Sequence, residues 1–223
     1  MQGMEAKVYN TQTKAIHTSD ERPFIPKGAH PIEIGRYLLL TNEIERLFKT
    51  VTGWIDRRAP GGIIYGRPRL GKTRAINFLM KVIPRELEAR IPIYHTCCRQ
   101  YKQPNENHFF EDILQDVGHI MASVGKSVRK RNRLTNFFLE QVEASGQNRL
   151  VLFIDDAQSL FEIQFGWLMD LYNELDRAGI SLTVLLVGQK ELLHQRSSFI
   201  QAKKAQIIGR FMVHDYKFSG VES

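Results

Sequence analysis

The sequence predicts an α/β fold in which a parallel sheet is covered by helices on both faces. Three observations carry that expectation. Short apolar runs alternate with stretches of helical periodicity. The runs are apolar at nearly every position, as strands buried on two sides are. A glycine-bounded turn, Gly66 to Thr73, stands directly between one such run and a helical stretch.

Taken in order, the first thirty residues are polar, keep no period and end among Pro23, Pro26 and Pro31. They predict an extended arm over 1–31, a core over 32–218 beginning at Ile32, and a tail over 219–223. From Thr41, a candidate N-cap, the residues Ile44, Leu47, Phe48, Val51, Trp54 and Ile55 recur at helical spacing, and Pro60-Gly61-Gly62 stops that helix. Strands are expected at 63–65, 91–94, 150–154 and 182–187, with a weaker one inside 211–218. Helices are expected over 71–83, 107–122, 132–145, 158–178 and 199–208. Phe109-Phe110, Phe137-Phe138 and Trp167 sit at helical spacings with other apolar residues and are assigned to the core.

A chain of 223 residues suits one domain with appendages. Its 43% hydrophobic and 25% charged content excludes a chain disordered throughout or collagen-like. Lys and Arg number 31 against 24 Asp and Glu, and the net charge of +7 favours polyanionic partners, nucleic acid or nucleotide. Cys97 and Cys98 are adjacent, so they form no ordinary bridge, and they lack a second pair for zinc; buried thiols of a reducing cytosol are expected. The seven histidines show no metal-ligand spacing. No run reaches the ~18 to 20 apolar residues of a membrane span, and the N-terminus has no signal-peptide core, so a cytoplasmic protein is expected.

Gly66-Arg67-Pro68-Arg69-Leu70-Gly71-Lys72-Thr73 fits G-x-x-x-x-G-K-[ST] in the strand-to-helix setting that this phosphate-binding loop requires. Its glycines let successive N–H groups point at phosphate oxygens, and the helix N-terminus adds its dipole. Gly66, Arg67, Pro68, Arg69, Leu70, Gly71, Lys72, Thr73 and Arg74 are the nucleotide-binding candidates. Lys72 is expected at the β- and γ-phosphates, and the Thr73 hydroxyl on Mg2+. The apolar run 150–154 ends in Asp155-Asp156. In a sheet of this kind Asp155 can act through the Mg2+ shell and Asp156 can orient or deprotonate water; capping of the next helix is the alternative role for Asp156. Lys126 to Arg133 holds five cations and no acid, which suits sequence-tolerant, salt-sensitive contacts to DNA phosphates through Lys126, Arg129, Lys130 and Arg131.

With these motifs the chain resembles AAA+ ATPases, and more closely the TniB/TnsC group, the ATP-dependent regulators of Tn7-like and related DNA transposons. The resemblance covers about residues 32–218 and rests on Gly66–Thr73 (Walker A), Val151-Leu152-Phe153-Ile154-Asp155-Asp156-Ala157-Gln158 (Walker B), Leu185-Leu186-Val187-Gly188-Gln189, and Ile208-Gly209-Arg210-Phe211. It implies a P-loop NTPase sheet, ATP with Mg2+, a ring or helical oligomer on double-stranded DNA, and a link between a TniQ/TnsD-like target selector and a TnsB/TniA-like transposase. By position, Gln189 corresponds to the sensor-1 residue that holds the attacking water, and Arg210 to the arginine finger that completes a neighbour's site, with Arg196 as its nearest competitor. The same resemblance adds Arg99, Tyr101, Lys102 and Gln103 to the DNA-facing set, with Lys102, Lys126 and Arg129 ranked first. Two departures stand out. Position 156 is Asp where the family usually has Glu, about one methylene shorter, which implies slow hydrolysis. Only 13 residues follow Arg210, so the family's helical lid is expected to be absent or truncated. A nucleotide-dependent adaptor with little hydrolysis, or an AAA+ motor of secretion or replication-initiation type, are the alternatives.

Overall fold

The computed structural model describes residues 41–87 and 90–220. The expected arm over 1–31, the core start at Ile32, and residues 221–223 of the tail lie outside the described residues.

The chain runs α1 (Asn42–Asp56), β1 (Gly61–Tyr65), α2 (Lys72–Glu86), β2 (Ile93–Cys97), α3 (Glu106–Asp116), α4 (Ser127–Ser145), β3 (Arg149–Asp155), a 3-10 turn (Ala157–Ser159), α5 (Glu162–Arg177), β4 (Ser181–Gly188), α6 (Glu191–Gln201), α7 (Ala205–Phe211) and β5 (His214–Lys217). The five strands form one parallel sheet in the order β2-β3-β4-β1-β5. This is the helix-flanked parallel sheet that the alternating runs predict and that the P-loop NTPase resemblance implies.

Residues alternate along each strand between two cores. Ile64, Val151, Phe153, Leu185 and Val187 pack with α1 and α2. Ile63, Leu150, Leu152, Ile154, Val184 and Leu186 pack with α3 to α7 on the other face. The Thr41 side chain caps α1 as expected, accepting from the Ile44 N–H at 3.2 Å.

Several boundaries differ from expectation for local reasons. β2 begins at Ile93 because Pro92 has no N–H to donate; its carbonyl accepts from Val151 instead, at 3.0 Å. The helix expected over 107–122 stops at Asp116, after which Gly118 takes a φ of 80°. The basic run expected to precede a helix forms its first turns, because α4 begins at Ser127. The stretch 158–178 is split: Asp156 has a φ of 51°, Leu160 is extended, and α5 starts only at Glu162, where the Gln164 side chain accepts from the Phe161 N–H at 2.8 Å. The helix expected at 199–208 is two helices, α6 and α7, parted at Lys203, whose φ is 56°.

The expected buried thiols are corrected: Cys97 is exposed and Cys98 half-buried, because β2 is an edge strand and Cys97 ends it. Among the described residues no helix is long and apolar enough to cross a membrane.

Gly61 opens β1 where β4 and the end of α7 converge: a Cβ there would lie 2.5 Å from the Arg210 carbonyl oxygen and 2.7 Å from that of Val184. Both obstacles are backbone, so Gly61→Ala is expected to destabilise the fold by about 1–3 kcal/mol, measured by chemical denaturation.

Candidate functional site

β4 lies between β1 and β3 in the sheet, so the segments leaving these three parallel strands emerge side by side at one edge. The turn after β1 is the phosphate loop. It curls through Arg69 (φ 61°) and Gly71 (φ 89°), two left-handed positions before α2, whose first turn contains no acid. A side chain at Gly66 would collide with the Phe218 carbonyl. Arg67, Pro68, Arg69, Thr73 and Arg74 are exposed and Leu70, Gly71 and Lys72 half-buried, so the loop is open to a ligand on its outer side. The Lys72 ammonium donates to the Gly66 and Arg67 carbonyls at 3.0 and 2.7 Å. Burial pulls its pKa below the ordinary lysine value, opposed by the charges of Asp155 and Asp156.

The end of β3 meets this loop through Thr73, whose hydroxyl donates to Asp155 Oδ2 at 2.5 Å. Asp155 Oδ1 accepts from the Asp156 N–H at 2.9 Å, and His95 Nε2 on β2 stands 3.7 Å from Oδ2. Burial raises the Asp155 pKa, yet the His95 ring, the Thr73 hydroxyl and the Asp156 N–H outweigh it and hold the carboxyl below the ordinary aspartate value. Thr73 and Asp155 are hard oxygen donors; that set fits Mg2+, which takes one or two protein oxygens and completes its shell with phosphate and water. Among the described residues no three His, Cys, Asp or Glu side chains form a metal cluster by themselves.

Asp156 makes no side-chain cap to the 3-10 turn that follows, so capping does not explain it. Its Oδ1 accepts from Gln158 Nε2 at 3.1 Å, and its Oδ2 lies 3.8 Å from Cys97 Sγ. Burial and the charges of Asp156, Asp155 and Asp116 push the Cys97 thiol up to about 11; burial, the Cys97 charge and two aspartates push Cys98 up to about 12. Both stay thiols at neutral pH. Gln189 follows β4, half-buried, with its N–H donating to Gln158 Oε1 at 3.2 Å.

Arg210 is not brought to this edge. Its carbonyl flanks Gly61 at the start of β1, whereas the phosphate loop follows Tyr65 at the other end. A five-residue strand separates them by about 13 Å at ~3.3 Å per residue. The Arg210 guanidinium lies 4.2 Å from the centroid of the Tyr172 ring. The competitor Arg196 is engaged with Asp215 at 3.0 Å.

The basic segment divides in two. Lys102, Gln103, Lys126 and Arg129 are exposed, and among the described residues no ion pair engages the three cations. Lys130 is a correction: it is 1% exposed and paired with Glu111 of α3, so it cannot reach a phosphate. Arg131 is corrected in the same sense, spanning α3 and α5 through Glu106 at 3.7 Å and Asp170 at 3.1 Å. Arg133 donates to the Met121 and Val124 carbonyls at 2.7 Å each, and Arg99 pairs with Asp112 and Asp116 at 2.9 and 3.0 Å. Tyr101 donates to Asp112 at 2.9 Å.

Sequence reasoning gave no role to Gln158, His95 or Gln195, whose amide donates to the Gln158 and Leu160 carbonyls at 3.1 Å each. The available signal for Gln158 was its place two residues after a proposed base, on a tight turn.

The lowered Asp155 pKa has a stability consequence. A carboxyl whose pKa is lower folded than unfolded contributes stability fully above the unfolded value, and loses it as the pH falls through the folded one. Denaturation followed downward from about pH 6 is expected to show stability being lost as the pH falls below the ordinary aspartate range and through the lower folded-state pKa. In Asp155→Asn that part of the acid decline is absent.

A family model described as an AAA domain matches residues 55–195, more than half of the chain. No curated protein matches. Among solved structures, the ORC2 protein of Aeropyrum pernix in ADPNP-ADP complexes is 18% identical with a TM-score of 0.56, covering 79% of this chain and 46% of that one. The ORC1 protein of the same organism in complex with DNA is 12% identical with a TM-score of 0.56, covering 81% and 45%. Drosophila ORC bound to DNA is 13% identical with a TM-score of 0.52, covering 80% and 43%. The chain therefore spans less than half the length of these structures, and at such identities the likeness is one of fold. The loop, the acidic strand end and the family match together make this chain a member of the AAA domain family.

Proposed function

We propose that the chain is an ATP-dependent regulator of DNA transposition of the TniB/TnsC kind. In this reading it assembles on double-stranded DNA and connects a TniQ/TnsD-like target selector to a TnsB/TniA-like transposase. The nucleotide part rests on one observation, the hydrogen bond that joins Thr73 of the phosphate loop to Asp155 of the acidic strand end. The transposition part rests on the motif resemblance over Gly66–Thr73, Val151–Gln158, Leu185–Gln189 and Ile208–Phe211. The nucleotide in the ORC2 complexes and the DNA in the ORC1 and Drosophila complexes are properties of those proteins that agree with nucleotide and DNA binding here.

The N–H groups of residues 66–73 and the start of α2 receive the phosphates. Lys72 exchanges its two carbonyl partners for β- and γ-phosphate oxygens. Thr73 and Asp155 would hold Mg2+, which offsets phosphate charge. Asp156 accepts a proton from the attacking water as its oxygen bonds to the γ-phosphorus and the bond to ADP breaks, and Gln189 holds that water. Arg210 sits at the opposite end of β1 from its own loop, which favours action in a neighbouring copy. Nucleotide held between copies stabilises the assembled state by its higher affinity for that state, and hydrolysis dissolves it. Lys102, Lys126 and Arg129 provide phosphate contacts along the duplex, with Gln103 beside them. The 1–31 arm is a docking segment for a partner, the 32–218 core carries the ATPase, and the protein works in the cytoplasm.

Two measurements test this. Lys72→Ala is expected to weaken ATP binding at least about tenfold and to abolish ATP-dependent assembly on DNA in electron micrographs. Assembly persisting at ordinary ATP would overturn the site. Replacing Lys126 and Arg129 together with Ala is expected to lower DNA affinity on every sequence and to reduce the slope of log affinity against log salt by about 2. Lys130→Ala leaves that slope unchanged and instead destabilises the fold by about 2–4 kcal/mol, through the lost packing and the stranded Glu111.

A further inference from the structure

We infer that Gln158 is a positioning residue that couples the end of β4 to the proposed base, so that movement at Gln189 is transmitted to the carboxylate of Asp156. This rests on the reading of the site as an ATPase.

The geometry is that of a two-ended link. One end of the Gln158 amide donates to Asp156 Oδ1 at 3.1 Å, and the other accepts from the Gln189 N–H at 3.2 Å. Chemistry alone sets which end is which. A backbone N–H can only donate, so the amide oxygen must face Gln189; a carboxylate accepts, so the amide nitrogen must face Asp156. A flipped amide would set two donors against each other at β4 and two acceptors against each other at Asp156. The link therefore has a single low-energy orientation.

The surroundings hold it there. The Gln158 carbonyl accepts from the Gln195 side chain at 3.1 Å, which ties the 3-10 turn to α6. Gly188, the last residue of β4, is buried, and any side chain at that position would collide with the Gln158 amide oxygen. The glycine in the Val187-Gly188-Gln189 strand end thus has a steric cause: it makes room for the link. Asp156 itself sits at a φ of 51°, a left-handed position that aspartate takes more readily than most side chains, and among the described residues its other oxygen meets the weak Cys97 thiol at 3.8 Å. Among the described residues, the Gln158 amide makes the shorter of the two side-chain contacts to this carboxylate.

The coupling follows directly. If Gln189 holds the water and γ-phosphate, its backbone shifts with the occupancy of that subsite. The amide of Gln158 moves with it and turns the Asp156 carboxylate toward or away from the water. The terminal phosphate would in this way set the aim of its own base.

The test is ATP turnover by the full chain on DNA, with ATP binding measured separately by fluorescence of a nucleotide analogue. Gln158→Ala is expected to lower kcat about tenfold or more while KM and analogue affinity stay within about threefold. Gln158→Glu is expected to be no better, since it keeps the acceptor for Gln189 and sets a negative charge against Asp156. The decisive comparison is made in Asp156→Asn: adding Gln158→Ala there is expected to cause no further loss, because the link has nothing left to aim. A further loss of the same size in that background would show that Gln158 acts otherwise and would overturn the inference. So would unchanged kcat in Gln158→Ala. Should Gln158→Ala fail to fold, Gly188→Ala displaces the amide without removing it and is expected to give the same split between kcat and KM. Absence of any hydrolysis by the unsubstituted protein would overturn the ATPase reading itself, and the inference with it.

Discussion

The hydrogen bond from Thr73 to Asp155 is the contact on which the site depends, because it joins two strand ends that are not neighbours in the sheet. β4 separates β1 from β3, and its own end emerges between them. The two cores make that edge firm. Large apolar side chains fill both faces of β1, β3 and β4, so the three strand ends are carried on a rigid body and the variable parts are confined to the turns beyond them.

Much of this was legible in the sequence, for identifiable reasons. β3 and β4 are buried on both faces, so their composition is continuously apolar and their limits come within a residue of expectation. The phosphate loop is legible because its backbone needs glycine at φ values that other residues avoid, and that requirement leaves a mark in the sequence. β2 was displaced because it is an edge strand: His95, Thr96 and Cys97 break the apolar signal, while the better-looking Ile91 and Pro92 lie before it. Gln158 carries no such mark. Its role depends on an N–H 31 residues away in the chain, across a strand that periodicity does not place beside β3.

The basic run shows a second limit. Read along the chain, five cations in eight residues look like one solvated, phosphate-seeking surface. Wound into α4 they point in different directions. Lys130 turns inward beside Leu134 and Phe138, and Arg131 bridges α3 and α5. What decides their fate is the acid on another helix, Glu111, Glu106 or Asp170, which no local pattern reveals. Within that run, Lys126 and Arg129 are the exposed cations that no ion pair engages among the described residues.

The aspartate at position 156 gains meaning from its backbone. A shorter carboxylate on an ordinary strand end would simply stand back from the γ-phosphate. Here the φ of 51° swings the side chain out of the strand direction, and Gln158 then holds one oxygen. Such a conformation costs on the order of 1 kcal/mol for a residue with a side chain, aspartate being among those that tolerate it best, and it sits between the end of β3 and the 3-10 turn. In the proposed reading, reach lost by one methylene is exchanged for control by a neighbour, an arrangement suited to a base that acts seldom and under instruction. That logic favours slow, gated turnover over a free-running motor. It also accounts for the pairing of Gly188 with Gln158: a side chain at the first would displace the amide of the second.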